Sequence, residues 1–191
     1  MMVFEGAATP IRLEGIIEAL LFASPEALTV DRLGELAQAD REAVEAALRE
    51  LTAALRDRGI RVLRQGDSVQ LATAPEAPTA LERLLGSEPR SRLSTAALET
   101  LAVIAYRQPV TRAGVEALRG VNSERAIATL QARGLVEEVG RADTLGRPIL
   151  LGTTLAFLEY FGLTMVSDLP PLDPGSEPAS TQSTFASDQP K

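Results

Sequence analysis

The stretch DREAVEAALRELTAALRDRGIRVLRQGDSVQLAT (residues 40–73) decides the fold. Val44, Leu48, Leu51 and Leu55 recur at helical spacing behind Asp40, whose side-chain oxygen suits a helix start. Gly59 closes that helix. Two β-like runs follow, 60–64 and 68–73, and Gln65-Gly66-Asp67 between them is a tight-turn signal. Upstream, Leu13, Ile16, Ile17, Leu20 and Leu21 predict another helix, ended by Ser24-Pro25. Thr29 or Asp31 caps a short helix carrying Leu33 and Leu36. Three helices and then a hairpin is the winged-helix order.

The order recurs downstream. A helix over 94–107 is broken at Gln108-Pro109, because the residue before proline disfavours the helical region. Thr111 caps a short helix that Gly120 stops, and Asn122 or Ser123 caps a third with Ile127 and Leu130 inward. Runs 135–141 and 147–152 read as paired strands. A last helix, 153–161, presents Leu155, Leu158 and Phe161. Arg58-Gly59-Ile60 and Arg133-Gly134-Leu135 are the same punctuation, a helix end entering a strand. Two blocks fall short of the three a solenoid needs. The expected fold class is therefore mainly α with small β-hairpins (α+β), as two tandem winged-helix domains. The expected division is a flexible leader 1–10, a first domain 11–85, a linker 86–92, a second domain 93–163 and a disordered tail 164–191. Leu81, Leu84 and Leu85 suggest a small helix at the joint, among Pro75, Pro78, Gly86 and Pro89. The last 28 residues hold five Pro and five Ser and few large apolar side chains, too little to offset chain entropy.

The chain has no Cys and no His, and its one Lys is the final residue. Imidazole acid–base work, thiolate nucleophiles, Lys Schiff bases and Cys/His zinc sites are thereby excluded. Neither a phosphate-cradling glycine loop nor a Gly-x-Ser-x-Gly elbow is present. Glu42 and Glu45, or Glu137 and Glu138, are the remaining carboxylate pairs, and a solvated face explains both better than a metal does. No enzyme, cofactor or metal is expected. No apolar run reaches the roughly 18–20 residues of a membrane span, so no membrane partner is expected.

Net charge is −7. Residues 11–85 hold 9 Arg against 13 acids, and residues 90–163 hold 9 Arg against 7 acids. Only the second half is mildly basic, which speaks against phosphate polymers as the main partner. The third helix of the first block opens Asp40-Arg41-Glu42, a poor DNA reader. The second opens Asn122-Ser123-Glu124-Arg125, with Arg141 and Arg147 in its hairpin, so a DNA-binding regulator acting through the second domain is the competing reading. The helix 94–107 favours protein contact. Its run Leu101-Ala102-Val103-Ile104-Ala105-Tyr106 is apolar on nearly every side and demands cover all round. A domain of this size has little material for that. Either the helix 153–161 covers it or a partner segment does. On the first helix, Ile11, Ile16, Leu20 and Phe22 exceed what one face needs, which makes them candidate interface residues.

The stretches LSTAALETLAVIAYRQPVTRAGVEALRGV (93–121) and GLVEEVGRADTLGRPILLGTTLAFLEYFGL (134–163) resemble the bacterial segregation and condensation protein B family. The most specific residues are Gly140-Arg141, Asp143, Gly146-Arg147-Pro148, Gly152-Thr153-Thr154 and Phe161-Gly162-Leu163. LEGIIEALLFASPEALTVDRLGEL (13–36) is similar to the family's start, and Ala113-Gly114 departs from the larger or acidic residues often found there. The resemblance implies a non-catalytic, cytoplasmic, nucleoid-associated subunit of the condensin-like SMC complex, acting in chromosome condensation and partition. It implies a homodimer formed chiefly through the first domain, for which Ile11, Ile16, Leu20 and Phe22 are the candidate interface residues. It also implies binding of the kleisin subunit by the second domain, with the SMC ATPase and DNA contacted indirectly or weakly. Candidate kleisin-binding residues are Leu101, Ile104, Tyr106, Arg141 and Arg147. The hairpin arginines are expected either to pair with Asp143 or to hold a kleisin carboxylate in bidentate fashion.

Overall fold

The computed structural model describes residues 11–75, 84 and 92–171. The leader 1–10, the linker but for Arg92, and the tail beyond Pro171 lie outside these residues. So does the small connecting helix except Leu84, which is helical and exposed.

The first block runs α1 (Leu13–Ala23), β1 (Leu28–Thr29), α2 (Val30–Ala37), α3 (Arg41–Ala54), β2 (Ile60–Gln65) and β3 (Ser68–Thr73). The caps follow local chemistry: Thr29 Oγ1 accepts from Arg32 N at 3.1 Å, and Asp40 Oδ1 from Ala43 N at 2.8 Å. Val44, Ala47, Leu48 and Leu51 of α3 meet Ile17 and Leu21 of α1, and Val62 and Val69 of the hairpin close that core. Strand order is β1-β3-β2.

The second block repeats this with α4 (Thr95–Arg107), β4 (Val110–Thr111), α5 (Arg112–Arg119), α6 (Glu124–Ala132), β5 (Val136–Arg141), β6 (Ile149–Thr153) and α7 (Leu155–Phe161), and its strand order is β4-β6-β5. Ser94, Thr111 and Thr154 each accept a capping bond from the amide three residues on. Before α6 the Ser123 side chain makes no cap. Instead Asn122 Oδ1 accepts from Glu124 N at 3.2 Å, and Ser123 N donates to Glu116 Oε1 at 3.1 Å. The structure is thus α+β, two winged helices in tandem.

Three features depart from the sequence reading. Each sheet has a third strand, β1 or β4, of two residues, too short for any alternation to register. Order continues past Thr164: a 3₁₀ turn, Val166–Asp168, follows, and Val166 and Leu169 pack on the second core. Asp168 Oδ2 accepts from Thr164 N (3.0 Å), Thr164 Oγ1 (2.5 Å) and Met165 N (3.0 Å). Finally, the two blocks touch. In β2 and β3, Val62 and Leu71 face the first core, whereas Leu63 and Ala72, on the opposite face, belong to the second.

Candidate functional site

α1 presents two surfaces. Ile17 and Leu21 point inward. Ile11 (71% exposed), Ile16 (36%) and Phe22 (83%) face out, and Leu20 is half-buried between the two. Ile11 folds back over Gly15, where a Cβ would stand 2.8 Å from the Ile11 Cγ2. Arg12 flanks this line, bonded to Glu14 at 2.7 Å and Glu50 at 2.9 Å. Among the described residues, nothing covers Phe22 on this well-packed helix.

The candidates on the second domain separate. Leu101 and Ile104 are 1% and 0% exposed, in the core with Phe157 and Leu158. They are corrected from partner-contact residues to core residues. The cover that α4 needed comes from within the chain: α7 supplies Phe157 and Leu158, and Val166 and Leu169 pack from the turn beyond it. Tyr106 is half-buried, and its hydroxyl donates to the Pro170 carbonyl at 2.6 Å. Arg141 and Arg147 are exposed at the second hairpin, which carries them as expected. Neither makes an ion pair with Asp143 among the described residues. Arg141 Nη1 instead donates to the Arg147 carbonyl at 3.2 Å, and Arg147 sits at φ 41° beside Gly146 at φ 82°.

Between α5, α6 and the second sheet lies an open groove of about 510 Å³, lined among others by Arg112, Glu124, Ile127, Glu138, Pro148 and Ile149. Arg112 Nη1 stands 3.4 Å from Glu124 Oε1. The start of α6, where a DNA reader would present cations, thus carries a carboxylate engaged by its neighbour. Sequence reasoning missed this groove, because its walls come from two helices and a sheet that meet only in the folded chain, and Arg112, Glu124, Ile127 and Gln131 have no local signal that groups them. It also missed Leu145, fully exposed at the hairpin tip, and Val139, placed by a bulge between Glu138 and Gly140. A leucine inside the turn Asp143-Thr144-Leu145-Gly146 was the available signal for the first.

Two carboxyls are held below their ordinary range. At Glu45 the cause is the hydrogen bonding of Arg64, at 2.6 and 2.8 Å, against a smaller cost of burial. At Asp168 burial pushes upward, but the bonds from Thr164 and Met165 together outweigh it. Among the described residues, no group of three acidic, His or Cys side chains could hold a metal ion, and no helix is long and apolar enough to cross a membrane.

The family model for segregation and condensation complex subunit ScpB matches residues 15–172. Segregation and condensation protein B of Oceanobacillus iheyensis is 46% identical over 168 residues, 86% of this chain and 88% of that protein. The protein of the same name from Symbiobacterium thermophilum is 48% identical over 161 residues, 83% of this chain and 73% of its own length. Among solved structures, ScpB from Mycobacterium tuberculosis is 41% identical, covering 80% of this chain and 96% of that one, at a TM-score of 0.38. A dimer of the ScpB N-terminal domain complexed with ScpA peptide is 31% identical, covering 37% of this chain and 91% of that one, at a TM-score of 0.36.

Proposed function

The chain belongs to the ScpB family of segregation and condensation complex subunits, and we propose that within that complex it is a non-catalytic scaffold, a homodimer that binds the kleisin subunit. The observation that carries this reading is the outward exposure of Ile16 and Phe22 on α1 and of Ile11 just before it. A two-fold axis beside α1 would bury the same residues on both copies, the isologous contact of most homodimers. The Leu20 edge would join it. Replacing Ile16 with Glu and Phe22 with Ser yields a monomer by light scattering. A chain that stays dimeric with both changes moves the interface elsewhere.

Kleisin binding falls to the second winged helix. The groove beside Arg112 and Glu124 offers apolar walls with charge at the rim, and Arg147 adjoins Pro148 on its wall. Arg147, and the donors of Arg141 other than the Nη1 bonded to the Arg147 carbonyl, face a carboxylate of the partner. The contribution of Tyr106 is to hold the surface through Pro170. On this reading Arg147→Ala weakens capture of the organism's own kleisin about tenfold, the size of one charge-assisted hydrogen bond, without unfolding the domain. Unchanged affinity in a pull-down removes Arg147 from the interface. The SMC ATPase is then reached through the kleisin, and the site of action is the nucleoid in the cytoplasm. A DNA-binding regulator would instead show retention on duplex DNA that falls steeply with salt. The Glu137 and Glu138 pair on β5 and the engaged Glu124 favour the scaffold.

A further inference from the structure

The contact between the two winged helices has an unusual composition. Each block closes a core of its own, and only Leu63 and Ala72 of the first hairpin cross into the second. Around them the contact is polar. Arg64 N donates to the Thr164 carbonyl at 2.9 Å, and the Gln65 side-chain amide donates to the Thr153 carbonyl. Thr153 N and Oγ1 in turn donate to Gln108 Oε1, at 2.8 and 3.0 Å. The other end of the Gln65 amide is stranded: its Oε1 is buried with no hydrogen-bond partner. Beside this contact, a Cβ added at Gly162 would lie 2.7 Å from Pro75 Cβ, so the two backbones approach as closely as a glycine permits.

A buried carbonyl oxygen without a donor opposes docking, because separation returns it to water. Among the described residues, the apolar gain that favours docking comes from Leu63, Ala72 and Pro75. Contacts of this kind between domains allow relative motion unless they are large and apolar. The chain passes from one block to the other through residues 76–91. We propose that the first hairpin is a reversible latch, docked on α7 and the Thr164 turn as seen here and released in a minor state that frees the two winged helices from one another. Release exposes the Leu63 and Ala72 face of the hairpin together with the α7 surface it covers; it leaves the first core closed and withdraws these two side chains from the second. The latch goes beyond the scaffold reading and does not depend on which partner the complex supplies.

One backbone group reports the latch directly. Strand β2 is at the edge of its sheet, and Arg64 lies opposite Val69 with its amide directed to Thr164 instead of into the ladder. Its hydrogen exchange therefore follows docking, whereas the amide of Leu51 in α3 follows unfolding of the first core. In the full-length protein, a released state populated at roughly 0.1–10% slows exchange at Arg64 by about 10- to 1,000-fold relative to an open peptide. Leu51 is slowed further. Leu63→Asp and, separately, Ala72→Glu should each speed Arg64 at least about tenfold with Leu51 unchanged, since a charge on the docked face disfavours only the docked state. If Leu63→Asp also strips protection from Leu51, that variant has lost its fold and Ala72→Glu decides. Exchange at Arg64 in the parent chain at the open-peptide rate, or as slow as at Leu51, overturns the proposal. So does protection that survives both substitutions.

Discussion

At the scale of single residues, the pair most worth testing is Glu45 with Arg64, a bidentate contact between α3 and β2 with both side chains partly buried. Its carboxyl is depressed in the folded protein. Such a group contributes stability above its unfolded value, near 4.3, and loses it as pH falls through the lower folded value. Glu45→Gln should therefore lower stability by about 1 kcal/mol at neutral pH, read from urea unfolding, and the difference should shrink below about pH 4. A gap undiminished at pH 3 would assign the effect to packing and not to charge. This pair was not legible in the sequence, because its members lie 19 residues apart and only the turn of the chain at Gly59 brings them together. The caps were legible. Asp40 and Thr111 act on amides three residues away, and that distance is set by helix geometry alone. For Arg141, Arg147 and Asp143, the spacing suggested pairing but could not give direction. The turn carries the Arg141 guanidinium to a carbonyl instead.

At the scale of elements, the glycines of the strands show what a sheet asks of its sequence. On β6, a Cβ at Gly152 would sit 2.7 Å from Val139 Cγ1 and 3.2 Å from Gln108 Oε1. Val139 is the extra residue of the bulge, and Gln108 is held by Thr153, so neither moves freely. Gly152→Ala should destabilise by about 1–3 kcal/mol. Gly59, where α3 passes into β2, has open space around its added Cβ. Gly59→Ala should be neutral or stabilise by about 0.4–1 kcal/mol, by reducing the freedom of the unfolded chain. Thermal unfolding of the two variants side by side checks the contrast, and equal effects would contradict it. Helices and hairpins were readable because their signals are local: period, cap, turn. The two-residue strands β1 and β4 were not, since each exists only by pairing with a strand about 40 residues further on. The helix 94–107 shows the same limit. Its apolarity demanded cover, which α7 and the turn beyond it give although Ala102 stays exposed, and no local feature named them.

At the scale of the whole molecule, the docked hairpin explains a pattern that a strand with one wet face would not have. Val62 and Leu63 are consecutive and both buried, one in each core, as in a strand covered on both sides. The signal was present in the sequence but ambiguous, because a short apolar run does not name what covers it. The end of order was misplaced for a related reason: Val166 and Leu169 are too few to suggest structure by themselves, yet they find a surface ready-made by α4 and α7. That surface yields a test specific to one half of the molecule. A chain ending at Leu163, compared with one ending at Pro171, loses the packing of Val166 and Leu169 and the Tyr106 bond to Pro170. Two half-buried aliphatic side chains and one hydrogen bond amount to about 2–3 kcal/mol. Both tyrosines, Tyr106 and Tyr160, lie in the second block and the chain has no Trp, so intrinsic fluorescence follows that block alone. The shorter chain should unfold at lower urea by tyrosine fluorescence, while exchange at Leu51 in the first core holds. Coincident loss by both probes would mean that the turn supports the whole molecule as one cooperative unit, since separate transitions require domains that unfold independently.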